Sequence, residues 1–222
     1  MSLSTFDQAE TFVAWVDISG FKQMMRDRPQ AEQALNAFYS IGYDAVRHQN
    51  DVEPKSLNGL FVSDAGVLFT RKPLGDPSKM LASMLGVIER ICRNMLERDY
   101  LVTASVAFGD FDYRNKAEFV GISKMALMGG AYLKAYQDNE IGSPRIKPGY
   151  CRIVKEGLPA DLDFGDPGSP ILSRGREAGE KHFNFYWMAD NPERIETVEA
   201  AYREAESERW PRIKSALRRG AV

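Results

Sequence analysis

Histidine is nearly missing from this 222-residue chain: the 2 present, His48 and His182, stand far apart with no partner pattern around either. A histidine-based triad or a zinc centre is therefore not expected. Cysteine is as scarce. Cys92 and Cys151 lie in apolar stretches without CxxC spacing, which reads as two reduced, buried thiols of a cytoplasmic protein. No apolar run approaches the roughly 20 residues that a bilayer requires, and the first residues show none of the features of a signal peptide. Excess charge is lacking too. Lys and Arg number 29 against 31 Asp and Glu, a net charge of -2, so no basic field invites nucleic acid. Neither a membrane nor a nucleic acid is an expected partner, and localisation is expected to be cytoplasmic.

What is present suits an ordinary globular protein: 44% hydrophobic residues are enough for a core, and the length favours a single domain over residues 1–222. TFVAWVD, residues 11–17, is short and rich in β-formers, as a buried strand would be. From Gly20 to Val46 the apolar positions Phe21, Met24, Met25, Leu35, Phe38, Ile41 and Val46 recur at helical spacing, with Pro29 interrupting that helix or dividing it in two. SLNGLFVSD and AGVLFTRK meet at Ser63-Asp64-Ala65-Gly66, a hairpin signal. Residues 78–97 predict an amphipathic helix on Met80, Leu81, Met84, Leu85, Ile88, Ile91 and Leu96. YLVTASVAFGDF then predicts a strand.

Residues 119–140 read as mostly helical, weakened at Gly129-Gly130, and RIKPGYCRIV as a strand broken by Pro148. A polar loop covers about 156–181, FNFYWMAD is an aromatic strand, and 192–219 is a charged terminal helix. The order β-α-β-β-α-β with a C-terminal extension is that of a ferredoxin-like split βαβ core. The expected class is α+β, an antiparallel sheet with helices mainly on one face.

In that topology the first strand neighbours the hairpin, so Asp17 at the strand end and Asp64 at the turn approach each other. Two carboxylates at close range repel, and a divalent cation with oxygen preference, Mg²⁺ or Mn²⁺, removes the conflict. Ser19 and Gly20 follow at a strand-to-helix turn, where free backbone N–H groups can face an anion. Taken singly, each of these is an ordinary turn residue. Their joint placement is what points to a metal and phosphate site.

AWVDISGF followed by LFVSDAGVLF resembles the class III nucleotidyl cyclase domain, whose metal carboxylates stand in two such motifs. TASVAFGDF and GGAYLKAYQDNEIGSPRI extend the resemblance over about 11–190. Gly130, Ala131, Ala135-Tyr136 and Pro144-Arg145-Ile146 look most like the short pyrimidine cyclases of the bacterial anti-phage system called Pycsar. The resemblance implies two Mn²⁺ or Mg²⁺ ions held by Asp17, Asp64 and the Ile18 carbonyl, with Ser19, Gly20 and Phe21 around the triphosphate. It also implies a homodimer with active sites between protomers, and a lyase acting on UTP or CTP, with cyclic UMP favoured.

The chain departs from the purine cyclases of that family. Where they carry an Asn and, one turn later, an Arg, this sequence has Lys134 and Asp138, and Leu60 replaces the purine-reading lysine. Lys134 is a substitute cation in catalysis or a solvated lysine; Lys124 and Arg114 are further candidates. Asn58 reads a pyrimidine edge or is simply a turn residue. These losses fit a pyrimidine cyclase, and equally a non-catalytic module that binds nucleotides or a partner.

Overall fold

Alternation along the first strand decides the architecture. In the computed structural model, which describes residues 6–70, 76–119, 122–164, 166, 168–206 and 210–219, β1 spans Phe6–Ile18. Phe12, Ala14, Val16 and Ile18 point to one face and are buried in the main core. Val13 and Trp15 point to the other face, and Asp17 continues their row. From Phe12 to Val16 the strand is thus apolar on both sides, and the next residue is a carboxylate.

Helices cover the first face. After a single turn, α1 (Phe21–Met24), comes the long α2 (Arg28–Val52). Asp27 caps α2 and Pro29 lies in its first turn, where the missing N–H is not needed. Of the two readings of Pro29, the division between helices is therefore the one realised. The hairpin follows as β2 (Leu57–Val62) and β3 (Ala65–Thr70), joined by Ser63 and Asp64 alone. Ser63 has φ 55°, the left-handed region that a two-residue turn demands and that an L-residue adopts at some cost. α3 (Pro77–Glu97) is capped by the Asp76 carboxylate, which accepts from the Ser78 and Lys79 amides, and it buries all seven of the expected apolar positions.

β4 (Val102–Phe119) and β5 (Ile122–Met128) form a second, longer hairpin, and α4 (Gly130–Ile141) follows. Residues 122–128 are therefore strand, where the sequence predicted helix. Lys, Met, Ala and Leu favour helices when isolated, but pairing along β4 from Asp112 to Phe119 overrides that preference. A second correction concerns the Pro-Arg-Ile segment. Residues 144–146 are irregular chain, and β6 is only Cys151–Val154, because Pro148 cannot donate and Gly149 turns at φ 82°. β7 (Gly175–Ala178) arises inside the expected polar loop, β8 is His182–Phe185, and the C-terminal segment comprises α5 (Ile195–Glu206) and α6 (Trp210–Arg219).

The eight strands form one sheet in the order β2-β3-β1-β4-β6-β8-β7, with β5 on the extension of β4. β3-β1-β4 pair antiparallel as the split βαβ order requires, while β4 and β6 run parallel. The class is α+β as expected. Among the described residues α4 is the helix that lies across the second face, where Ala131 packs with Val13, Val67, Phe69, Phe111 and Tyr113, and Trp15 and Tyr132 border this smaller core. Among the described residues no helix is long and apolar enough to cross a membrane.

Candidate functional site

Register brings the two aspartates together. Asp17 pairs with Ala65 across β1 and β3, and the Ile18 amide donates to the Asp64 carbonyl at 3.0 Å. Asp64 therefore leaves the hairpin tip beside the end of β1. Neither carboxylate has a hydrogen bond or ion pair among the described residues. Burial, then the Asp64 charge, then the Glu140 charge push the Asp17 carboxyl up to about 7. Such a group is held in a position that favours its neutral form unless a cation arrives.

A cleft of about 320 Å³ opens on Asp17. Ser19, Gly20, Thr103, Asn139, Glu140 and Arg145 line it. Ser19 Oγ and Asn139 Nδ2 are buried donors without an acceptor among the described residues, although Asn139 Oδ1 accepts from Thr103 Oγ1 at 3.4 Å. The turn after β1 adds backbone donors. The Ile18 and Ser19 amides are used, by Asp64 and by Leu101, but those of Gly20, Phe21 and Lys22 find no partner among the described residues. Gly20 holds φ 76°, a left-handed conformation that a side chain would oppose. α1 is one turn long, so an anion at this turn would meet these N–H groups rather than a helix dipole. The Phe21 ring is buried in the core, so only its amide is left to face the turn.

The donor set suits a hard divalent ion. Carboxylates, a hydroxyl and backbone carbonyls are oxygen ligands of the kind Mg²⁺ and Mn²⁺ prefer, and a cation there would offset the Asp64 and Glu140 charges that face Asp17. No group of three or more His, Cys, Asp or Glu capable of holding a metal occurs among the described residues, so protein ligands to an ion would number two carboxylates.

Other residues singled out from the sequence stand elsewhere. Lys134 Nζ lies 3.1 Å from Glu156 Oε1 and also donates to the Glu156 carbonyl; it does not line the cleft. Arg114 is paired with Asp112 at 2.8 Å, and the Lys124 side chain falls outside the described residues. Asn58 shares the Asp17 face but pairs with Phe69 opposite Val13, roughly 13 Å along β1 from Asp17 at the strand rise. Leu60 lines an apolar pocket of about 270 Å³ with Trp15, Val67, Leu127 and Tyr132. Asp138, at the position of the family arginine, is buried in an ion cluster. It receives Arg152 Nη2 at 2.8 Å, Ser105 Oγ at 2.6 Å and His182 Nε2 at 2.7 Å. Asn139, Glu140 and Arg145 were not recognised as site residues from sequence; only the fold brings them to Asp17.

The arrangement is set on the fold of the class III nucleotidyl cyclases. Among solved structures the chain is similar to the guanylyl cyclase Cya2, with a TM-score of 0.58 and 13% identity over 82% of this chain and 93% of that one. The guanylyl cyclase domain of the RhoGC fusion protein from the fungus Blastocladiella emersonii, described as a non-canonical dimer, gives 0.51 and 12% over 81% and 97%. A class III adenylyl cyclase-like ATP-binding protein from Pseudomonas aeruginosa gives 0.51 and 12%, over 67% of this chain and 34% of that one. At these identities the likeness is one of fold. No protein-family model matches the chain, and no curated protein matches it.

Proposed function

We propose that the protein is a divalent-metal-dependent pyrimidine nucleotide cyclase that converts UTP to 3′,5′-cyclic UMP and pyrophosphate as a signal in bacterial anti-phage defence. The observation that carries the nucleotide reading is the unpaired Asp17–Asp64 couple beside three free amides on a cyclase fold. Asp17 and Asp64, with the Ile18 carbonyl, would hold the Mn²⁺ or Mg²⁺ ions. Bound there, such ions supply charge that activates the ribose 3′-oxygen and stabilises the leaving oxygen. The amides of Gly20, Phe21 and Lys22 would orient the phosphate chain. The 3′-oxygen bonds to the α-phosphorus as its proton passes to solvent, and the bond to the β-phosphate oxygen breaks with its electrons on pyrophosphate.

Support for a pyrimidine over a purine is Leu60, which makes an apolar wall where purine cyclases carry a lysine. The named neighbours are purine proteins, so this is a departure from them. A homodimer is supported by exposed Val62, Met125, Met128, Leu133 and Tyr136 on the hairpins and α4. Incubation with each of the four ribonucleoside triphosphates and Mn²⁺ tests the reading: cyclic UMP is expected in excess over cyclic CMP, and no cyclic product from any of them sinks it.

A second reading, a cyclase-like module that binds a nucleotide without turnover, is favoured by one observation. Lys134 is engaged by Glu156 and Asp138 by Arg152, so α4 presents no uncommitted cation at those two positions. Calorimetry showing triphosphate binding without product selects this reading.

A further inference from the structure

The Asp17 cleft contains features that the metal pair does not use. Two carboxylates, Asp17 and Glu140, lie on its lining, and Arg145 is the one cation among the residues lining it. Arg145 is exposed and has no ion pair or hydrogen bond among the described residues, although Arg residues elsewhere are widely committed to carboxylates. Its backbone, by contrast, is fixed. The Pro144 carbonyl immediately before it accepts from Arg152 Nη1 at 2.6 Å, and Ile146 immediately after it is buried. The residue is thus a side chain left uncommitted on an anchored stem.

The orphaned donors give the second, independent observation. Ser19 is 6% exposed and Asn139 is 5% exposed, and neither Ser19 Oγ nor Asn139 Nδ2 has an acceptor among the described residues. A folded chain seldom keeps a buried donor unsatisfied, because desolvation is not recovered. Here two such donors meet at one cleft with a free guanidinium. Hydroxyl, amide and guanidinium are all donors; what they lack in common is an oxygen-rich anion.

We propose that Arg145, with Asn139 and Ser19 of the same protomer, forms a clamp for the non-bridging oxygens of a polyphosphate chain lying beside Asp17. This deepens the nucleotide reading and rests on it for the identity of the phosphate donor. A guanidinium suits the task because its planar fork binds two phosphate oxygens at once. The clamp also explains how two carboxylates tolerate an anionic ligand, since Arg145 adds fixed positive charge to whatever ions the carboxylates hold.

The test uses the full chain and inorganic tripolyphosphate with Mn²⁺, measured by calorimetry. Arg145→Ala is expected to weaken binding roughly 10- to 100-fold, with Arg145→Lys recovering part of the loss. Ser19→Ala should weaken it by roughly 3- to 10-fold. The thermal midpoint of Arg145→Ala should match that of the wild type, which separates a binding role from a structural one. Tripolyphosphate binding that depends on Arg145, in a protein that makes no cyclic nucleotide, supports the clamp while the cyclase reading fails. Equal affinity in the wild type and Arg145→Ala overturns the clamp whatever the turnover, as does a wild type that binds no tripolyphosphate.

Discussion

Asp17 and Asp138 pose the same physical problem, a carboxylate withdrawn from water, and the molecule treats them in opposite ways. Asp138 is 8% exposed and answered from three elements, by Ser105 on β4, Arg152 on β6 and His182 on β8. Asp17 is half-buried, is answered by none of the described residues, and has Asp64 and Glu140 as neighbours of the same sign. Charges that serve the fold are closed within the chain. A charge left open at a cleft with orphaned donors marks where something from outside completes the structure.

The largest expected effect breaks the open side of this contrast. Asp17→Ala or Asp64→Ala should lower cyclase turnover by roughly three orders of magnitude or more while circular dichroism is unchanged; retained turnover would show that neither carboxylate holds a required ion. The closed side responds in stability instead. Asp138→Ala leaves Arg152 buried without a counter-charge and should cost about 3–5 kcal/mol in urea unfolding. A loss below about 1 kcal/mol would mean that the cluster is not as dry as its geometry indicates.

Asp17→Asn sharpens the comparison through pH. The folded carboxyl titrates at about 7 against an ordinary 3.8, so the folded protein holds a proton that the unfolded chain has released. Wild-type stability without metal therefore falls as pH rises from about 4 to about 7 and stays low above that. Asp17→Asn should match the wild type at pH 4 and exceed it at pH 8 by about 1–2 kcal/mol after solvent screening. Mn²⁺ should narrow that gap in the wild type alone. The smallest effect on the fold concerns the open sheet face. Leu133→Glu should halve the particle mass in light scattering while changing unfolding of the monomer by under about 0.5 kcal/mol.

Where local pattern and tertiary demand agree, the sequence could be read. The first strand, the Ser63-Asp64 hairpin and the buried stripe of α3 repeat at periods that burial enforces, and they place both aspartates. Residues 122–128 were misread because their composition suits a helix and only the distant β4 makes them a strand. Spacing on α4 offers Lys134 as either a substitute cation or a solvated lysine, and it does not reveal that Glu156 waits across the loop. Arg145 went without a role for the opposite reason. Its segment has no periodicity, and its position depends on Arg152 gripping Pro144. Asp138 looked like a lost arginine, and its partners come from strands with no sequence link to it.

Arg152 has a wider consequence. Its guanidinium holds the Pro144 carbonyl at 2.6 Å and the Asp138 carbonyl at 2.9 Å, and these are the residues just before Arg145 and Asn139. One side chain outside the cleft thus sets the gauge between two of its walls. Lineages carrying this fold could retune which ligand fits by altering Arg152 or its neighbour His182, adjusting the span from behind while every ligand-facing residue stays the same.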